Sequence, residues 1–270
     1  MALTSLDGVV AGIQAPRFFS KGTTPTVLAG RWTSSWSMAG IPGAGAYDTT
    51  LNGVALSSTS ANVNGQLPHT DPGAGSAYLH RCQLFVTNQS QYLLCDRLWH
   101  NGGISAISIF QQDITSPTWP ARDQTGGTDG IGVMIALEIS ATMGAGTPTI
   151  TVGYTNSAGT SGRTGTNVWT VIANVPPPYV FPISLQDGDK GVRSVQSITL
   201  SSSFISGTCN LVAYRILAAF NTPAASSLST VNALTGGLPI LYNGVVPYFM
   251  SQGVTTIGTV IAGSYQEVHG

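Results

Sequence analysis

Short apolar runs recur through the middle of the chain, each closed by Gly, Asn, Ser or Pro. The series begins with YLHRCQLFVT (78–87), YLLCDRLW (92–99) and GISAISIF (103–110). GVMIALEIS (132–140), PTITVGYT (148–155) and NVWTVIANV (167–175) continue it, followed by VFPISL (180–185), VRSVQSITLSSS (192–203) and GTCNLVAYRILAAF (207–220). Runs this short, rich in β-branched residues and separated by turn residues, predict antiparallel strands rather than helices. Two turns have an evident mechanism. TNSAGTSGRTG (155–165) supplies glycines that tolerate positive φ, and Asp187-Gly188 in LQDGDKGV fits a tight corner. In VQSITLSSS, Val195 and Gln196 break the alternation, so that strand is expected to be buried along much of its length.

The flanks read differently. Residues 1–77 are rich in Gly, Pro, Ser and Thr, with scattered apolar anchors and little periodicity. In residues 221–270 one helix is expected near Ala224–Leu234, between Pro223 and the Gly236-Gly237 stop. The expectation is therefore an all-β chain. It has an antiparallel β-sandwich or jelly-roll-like core (78–220), extended N- and C-terminal arms (1–77 and 221–270), and at most one or two short helices. The arms either cover the core or reach a neighbouring subunit; a loop-rich extension of the same domain is the alternative.

Composition changes the picture most through charge. Of 270 residues, 42% are hydrophobic, enough for a full core, but only 8% are charged, against about 25% in ordinary soluble domains. There are two lysines, Lys21 and Lys190, and two glutamates, Glu138 and Glu267. A surface this poor in charge does little to resist association, which points to an oligomer or larger assembly. Eight dispersed arginines and a net charge of −1 give no basic footprint for nucleic acid. The apolar runs are too short to span a bilayer, and the segment before Arg17 lacks the basic start of a secretory signal. Three cysteines without framework spacing read as reduced, buried thiols.

The densest chemistry is CDRLWHNGG (95–103). A papain-like site would use Cys95 as nucleophile, His100 as base and Asn101 as orienter. Residues five apart face opposite sides of a strand and lie about 140° apart on a helix, so the thiol and imidazole do not meet. The stretch reads instead as a strand ending at an Asn-Gly turn, with Cys95, Arg97 and Trp99 on one face. Asp96, on the other, is expected to be hydrogen-bonded, an arginine from another strand being the natural partner. Phosphate-loop, zincin, CxxC and nucleophile-elbow motifs are absent. His69, His80, His100 and His269 show no metal spacing, and DGDKG lacks the glutamate a calcium loop requires at its twelfth position. Asp71, Asp123, Asp129, Asp187 and Asp189 sit in turn-like strings, and Glu138 reads as a satisfied strand carboxylate. Glycosidase chemistry would need Glu138 or Asp96 to meet a second acid in a cleft. No cofactor is implied, and a non-enzymatic role is expected.

The phrases LLCDRLWHNGG (93–103), PTITVGYTNSAGTSGRTG (148–165) and DGDKGVRSVQSITLS (187–201), with SLDGVVAGIQAPRFFSKG (5–22), resemble stretches of virion structural proteins of tailed bacteriophages. The β-rich, Gly/Ser/Thr-heavy, lysine-poor character is most similar to capsid decoration (cement) proteins. That resemblance implies a homotrimer clamping the major capsid protein at local three-fold positions, in a virion assembled in a bacterial cytoplasm. A neck, tail or baseplate component is the alternative within the same class. Candidate interface residues are Arg17, Phe18 and Phe19 in PRFF, Trp32 and Trp36, and Tyr248 and Phe249. Phe18 and Phe19 could equally pack within their own domain. A carbohydrate-binding sandwich remains a third reading, with Trp32 and Trp36 as its aromatic platform.

Overall fold

The structure, a computed structural model, describes residues 5–22, 29–60, 63–168, 175–256 and 258–270. Its first half carries α1 (Leu6–Gly12), β1 (Arg17–Lys21), β2 (Trp32–Ser34), β3 (Gly40–Ile41), β4 (Val54–Ala55), β5 (Ala77–Val86), β6 (Ser90–His100), β7 (Ile104–Ser105) and β8 (Gln112–Asp113). The second carries β9 (Val133–Ala141), β10 (Thr149–Asn156), β11 (Arg163–Val168), β12 (Tyr179–Pro182), β13 (Val192–Leu200), β14 (Thr208–Thr222), β15 (Ser227–Asn232), α2 (Ala233–Gly236), β16 (Ile240–Leu241), β17 (Pro247–Gly253) and β18 (Ile261–His269). The chain is all-β and antiparallel, as its patterning predicts, and forms two compact units.

The first unit joins Met1–Ala46, Ser57–Asp96 and Ile216–Gly270. One sheet runs β15-β5-β18-β1-β3, with β16 also on β5. The other pairs β17 with β2 and with the first part of β6. Their inner faces share one core, in which Phe19, Leu84 and Tyr265 meet Tyr92, Leu94 and Phe249. The Phe249 ring lies 5.3 Å from Phe19 and 6.2 Å from Phe220. Trp36 is fully buried here, donating from Nε1 to the Ala46 carbonyl at 2.8 Å and meeting Tyr248 edge-on at 6.3 Å.

A register shift between Gln266 and Glu267 makes His80 the extra residue of β5. Cys82, Leu84 and Val86 point inward on one side of this bulge; Ala77 and Leu79, of opposite parity, point inward on the other.

The second unit joins Tyr47–Leu56 and Arg97–Arg215. It contains the sheet β11-β10-β13-β8 and the series β12, β9, β14 and β7, with β13 packed against β9. Trp119 donates to the Val192 carbonyl at 2.7 Å, and its ring lies 5.3 Å from that of Trp99.

Two expectations are corrected. Strand β13 is half-buried: Arg193 and Gln196 are exposed while Val192, Val195, Ile198 and Leu200 are buried. The broken alternation marks a bulge, because Gly153 pairs with Ser197 and Tyr154 with Val195, leaving Gln196 over. The helix expected near Ala224–Leu234 is a strand over most of that span, since Ser227–Asn232 pairs with β5 along its whole length. Helix begins only after Asn232, whose side chain accepts from Leu234 and Thr235, and ends at Gly237 with φ 69°. Alternating Ser, Leu, Thr and Val suit an edge strand better than a helix.

Phe249 links both sheets of the first unit. Phe249→Ala is expected to cost about 3–5 kcal/mol in unfolding free energy, measured by urea denaturation.

Candidate functional site

The CDRLWHNGG stretch is built for structure. Every residue from Leu94 to Asn101 is buried. In the first unit, the Cys95 thiol is pushed well above its ordinary range by burial and by the Asp96 charge. Asp96 accepts from the Val246 amide at 3.0 Å rather than serving as a free acid.

In the second unit, Arg97 donates from Nη2 to Glu138 Oε2 at 2.7 Å and from Nε to His100 Nδ1 at 3.1 Å. Its guanidinium also lies 5.8 Å from the centre of the Tyr47 ring. An imidazole that accepts at Nδ1 is neutral there. Burial and the Arg97 charge push its pKa down to about 2, so His100 is a poor base at neutral pH. Asn101 donates to the Leu51 carbonyl and accepts from the Leu211 amide, fastening the turn. Glu138 thus meets an arginine, not a second acid.

Other carboxylates hold loops. Asp123 accepts from the backbone amides of Thr125, Gly127, Gly130 and Ile131. Asp189, in the expected DGDKG corner, accepts from Arg163, Tyr154 and Asn156. Its pKa is held down at about 2, chiefly by the Arg163 hydrogen bond.

One cluster matches no short sequence motif. In the first unit, His69 lies between two carboxylates, with Nδ1 2.6 Å from Glu267 Oε1 and Nε2 2.8 Å from Asp71 Oδ1. Carboxylates accept, so this geometry calls for both ring nitrogens to donate and for a charged imidazolium. Burial alone would lower the His69 pKa, but Glu267 and Asp71 outweigh it and raise it. Asp71 also accepts from the Gly244 amide and the Ser58 hydroxyl, and His269 approaches Glu267 at 3.1 Å. The cluster pins the loop around Pro68 to β18. Residues 198 positions apart leave no short motif, so only tertiary pairing reveals it. Among the described residues, no group of three or more His, Cys, Asp or Glu is arranged to hold a metal.

Beside His69 runs an open groove of about 500 Å³, lined by Pro42, Gly43, Ser58, Val63, Gln66 and Pro68 among others. Lys21, fully buried, donates to the carbonyls of Pro42, Gly43 and Met38; burial lowers its pKa to about 8.

Of the candidate interface residues, Phe19, Trp36, Tyr248 and Phe249 are buried inside the first unit. Arg17 and Trp32 are half-buried, and Arg17 donates to Thr70. Phe18 is 72% exposed. With Trp36 buried, Trp32 and Trp36 do not form an exposed sugar-stacking pair.

Other large apolar side chains are exposed as well. On the first unit these include Ile41, Phe85 and Leu228. On the second, Ile107, Ile109, Phe110 and Ile205 are exposed on two loops joined by hydrogen bonds from Ala106 to Gly207 and from Phe204 to Ala106. Ile205 has φ 66°, a strained conformation for a β-branched residue.

No family model matches the chain, and no curated protein matches it. Among solved structures, it is similar to a mutant VP2 protein of infectious bursal disease virus in derived T=1 particles. Identity is 10%, the alignment covers 99% of this chain and 80% of that one, and the TM-score is 0.20. A VP2 subviral particle of the same virus aligns at 11% identity over 95% and 81% of the two chains, with a TM-score of 0.19. Likeness at this level carries no argument about partner or role.

Two measurements probe the buried charges. A group whose folded pKa is raised stabilises fully below its unfolded value and loses that contribution as pH climbs through the folded value. His69 is therefore expected to contribute fully below about pH 6.5 and progressively less above it. Unfolding free energy measured against pH should show this fall, and His69→Gln should remove it. Arg97→Met should cost about 3–5 kcal/mol by stranding Glu138, whereas Arg97→Met with Glu138→Leu should recover much of the loss in the same denaturation assay.

Proposed function

We propose that the chain is a non-enzymatic structural protein of a virion that decorates and stabilises a capsid lattice through contacts with the major capsid protein and with its own copies. The observation that carries this reading is the surface: large apolar side chains stand exposed on both units of a chain with only 8% charged residues. Clusters of this kind on a weakly charged surface mark sites of protein association. The CDRLWHNGG stretch supports it, because its Arg97 is bonded in the interior both to its own His100 and to Glu138 of β9. The major capsid protein as partner is drawn from the phrases that resemble tailed-phage virion proteins. The homotrimer at three-fold positions and synthesis in the bacterial cytoplasm come from the same resemblance.

In this reading Phe110 and its neighbours suit a dry pocket on the coat protein. Placement in the neck, tail or baseplate draws on the same surface and differs in copy number.

Quantitative mass spectrometry of purified particles tests the proposal. A copy number comparable to the coat protein is expected. A few copies per particle would move the protein to the neck or tail, and absence from particles would overturn the virion role.

A further inference from the structure

A buried imidazole with a carboxylate on each ring nitrogen has one protonation state that satisfies both. The His69 side chain is fully buried, with Nδ1 2.6 Å from Glu267 of β18 and Nε2 2.8 Å from Asp71. With two ring protons, both contacts are charge-assisted hydrogen bonds. With one, a ring lone pair faces a carboxylate oxygen. The two carboxylates differ in what else surrounds them. Glu267 is 3% exposed and is also approached by His269 at 3.1 Å. The Asp71 side chain is 30% exposed and accepts from the Gly244 amide at 2.8 Å and the Ser58 hydroxyl at 3.0 Å. A neutral His69 therefore keeps its proton on buried Glu267 and turns its lone pair on Asp71, which has water and two other donors.

Asp71 is tied to two further loops. Ser58 donates its amide to the Gly244 carbonyl at 3.0 Å, so Ser58, Asp71 and Gly244 form one knot. Gln66 Nε2 reaches the Ser58 carbonyl at 3.2 Å, a longer tie than those within the knot. Arg17 bonds Thr70, between His69 and Asp71 in the chain, and so provides a pivot. Ser58, Gln66 and His69 all line the open groove of about 500 Å³. We infer that the His69–Asp71 contact is a proton-operated latch. The second ring proton holds the Ser58–Asp71–Gly244 knot against His69; its loss lets the knot swing off, breaks the Gln66 tie and widens the groove.

The surrounding charges set the sense of the latch. Burial disfavours the charged ring, but Glu267 and Asp71 outweigh it, so His69 loses its second proton above its ordinary value of 6.5. Arg17 on β1 is a fixed positive charge nearby, and His269 on β18 a titratable one. Asp96 on β6, bonded to the Val246 amide, adds negative charge beside the Gly244 loop. Tyr265 on β18 stays neutral, its hydroxyl pushed well up by burial and then by Glu267. The latch is thus shut below pH 6.5 and opens as pH climbs through the raised His69 value. The Pro42–Gly43 lining does not follow. Burial lowers the Lys21 pKa to about 8, but its neutral amine keeps two hydrogens for the two carbonyls.

The latch goes beyond the virion role and does not depend on it. Nuclear magnetic resonance of the full chain from about pH 6 to 10 tests it, with circular dichroism confirming the fold of each variant. The nitrogen-15 shifts of the His69 ring should show both nitrogens protonated at the acid end and Nδ1 alone at the alkaline end. In step with that titration, the nuclear Overhauser contact from the His69 ring to the Asp71 β-protons should fall at least fivefold, and the Gln66 side-chain amide should shift. Asp71→Asn should stay shut throughout, because its amide donates to neutral Nε2 while its oxygen still accepts from Gly244. His69→Gln, which turns an oxygen on one of the carboxylates, should give the open Gln66 signal at every pH. Should it misfold, Asp71→Asn decides alone.

A His69 already neutral at the acid end would overturn the inference. So would His69–Asp71 and Gln66 signals that stand still while His69 titrates, or an Asp71→Asn chain that opens as wild type does.

Discussion

The first unit depends on the register of β18. This strand lies between β5 and β1 and so joins residues from near the two ends of the chain. Its alternation sets three things at once. Ile261 and Tyr265 enter the core, Ala262 and Ser264 lie on the opposite side of the strand with Ser264 buried and donating to Gln83, and Glu267 turns in to meet His69. A slip of one residue would exchange the faces, exposing Tyr265 and turning Ala262 and Ser264 into the core. The bulge at His80 lets β5 follow, because it keeps Leu79 and Cys82 on the same side despite their odd spacing. Core, ionic staple and outer face are thus consequences of one pairing.

The second theme is where so few charges go. Lys21, Asp96, Arg97, Arg122, Asp123, Glu138, Arg215 and Glu267 are all buried. A charge in the interior must be paired or hydrogen-bonded, and the observed bonds do this: Arg97 on Glu138, Glu267 on His69, Lys21 on three carbonyls, Arg122 on the Leu56 carbonyl. These groups set loop positions and strand ends more than they add stability, since an apolar replacement of a buried pair is often neutral. A chain that spends its scarce charges inside leaves its surface closer to neutral than composition alone implies.

Strand chemistry was legible in the sequence because period-two patterning is local. The runs at 78–87, 92–99 and 132–140 coincide with β5, β6 and β9. Where the pattern broke, the sequence was reporting bulges, at Gln196 and in the His80-Arg81 pair, which read on paper as irregularity. The Ser227–Asn232 strand was hidden because its state is decided by the free edge of β5, a partner far away in sequence. The same distance concealed the His69–Glu267 contact and the pairing of β1 with β18. Aromatic residues were misleading for a related reason. Phe18 and Phe19 are adjacent and chemically alike, and only the strand's alternation sends one to solvent and the other to Phe249.

That alternation also gives one sheet a well-packed face and an apolar outer one. A sheet with one face in the core must put something on the other. Ordinary soluble sheets use charged residues there to keep strands and copies apart. Here the outward positions of β1, β18 and the second half of β5 hold Phe18, Ser20, Ala262, Ser264, Gln266, Gln83 and Phe85, with Arg81 the one charge among them. Adding a single acidic side chain at position 18 or 85 would leave the core contacts in place and change only what the face can tolerate opposite it. Phe18 and Phe85 occupy these outward positions with Ala262 and Ser264 between them, so the sheet carries exposed apolar area where a charged residue would ordinarily stand.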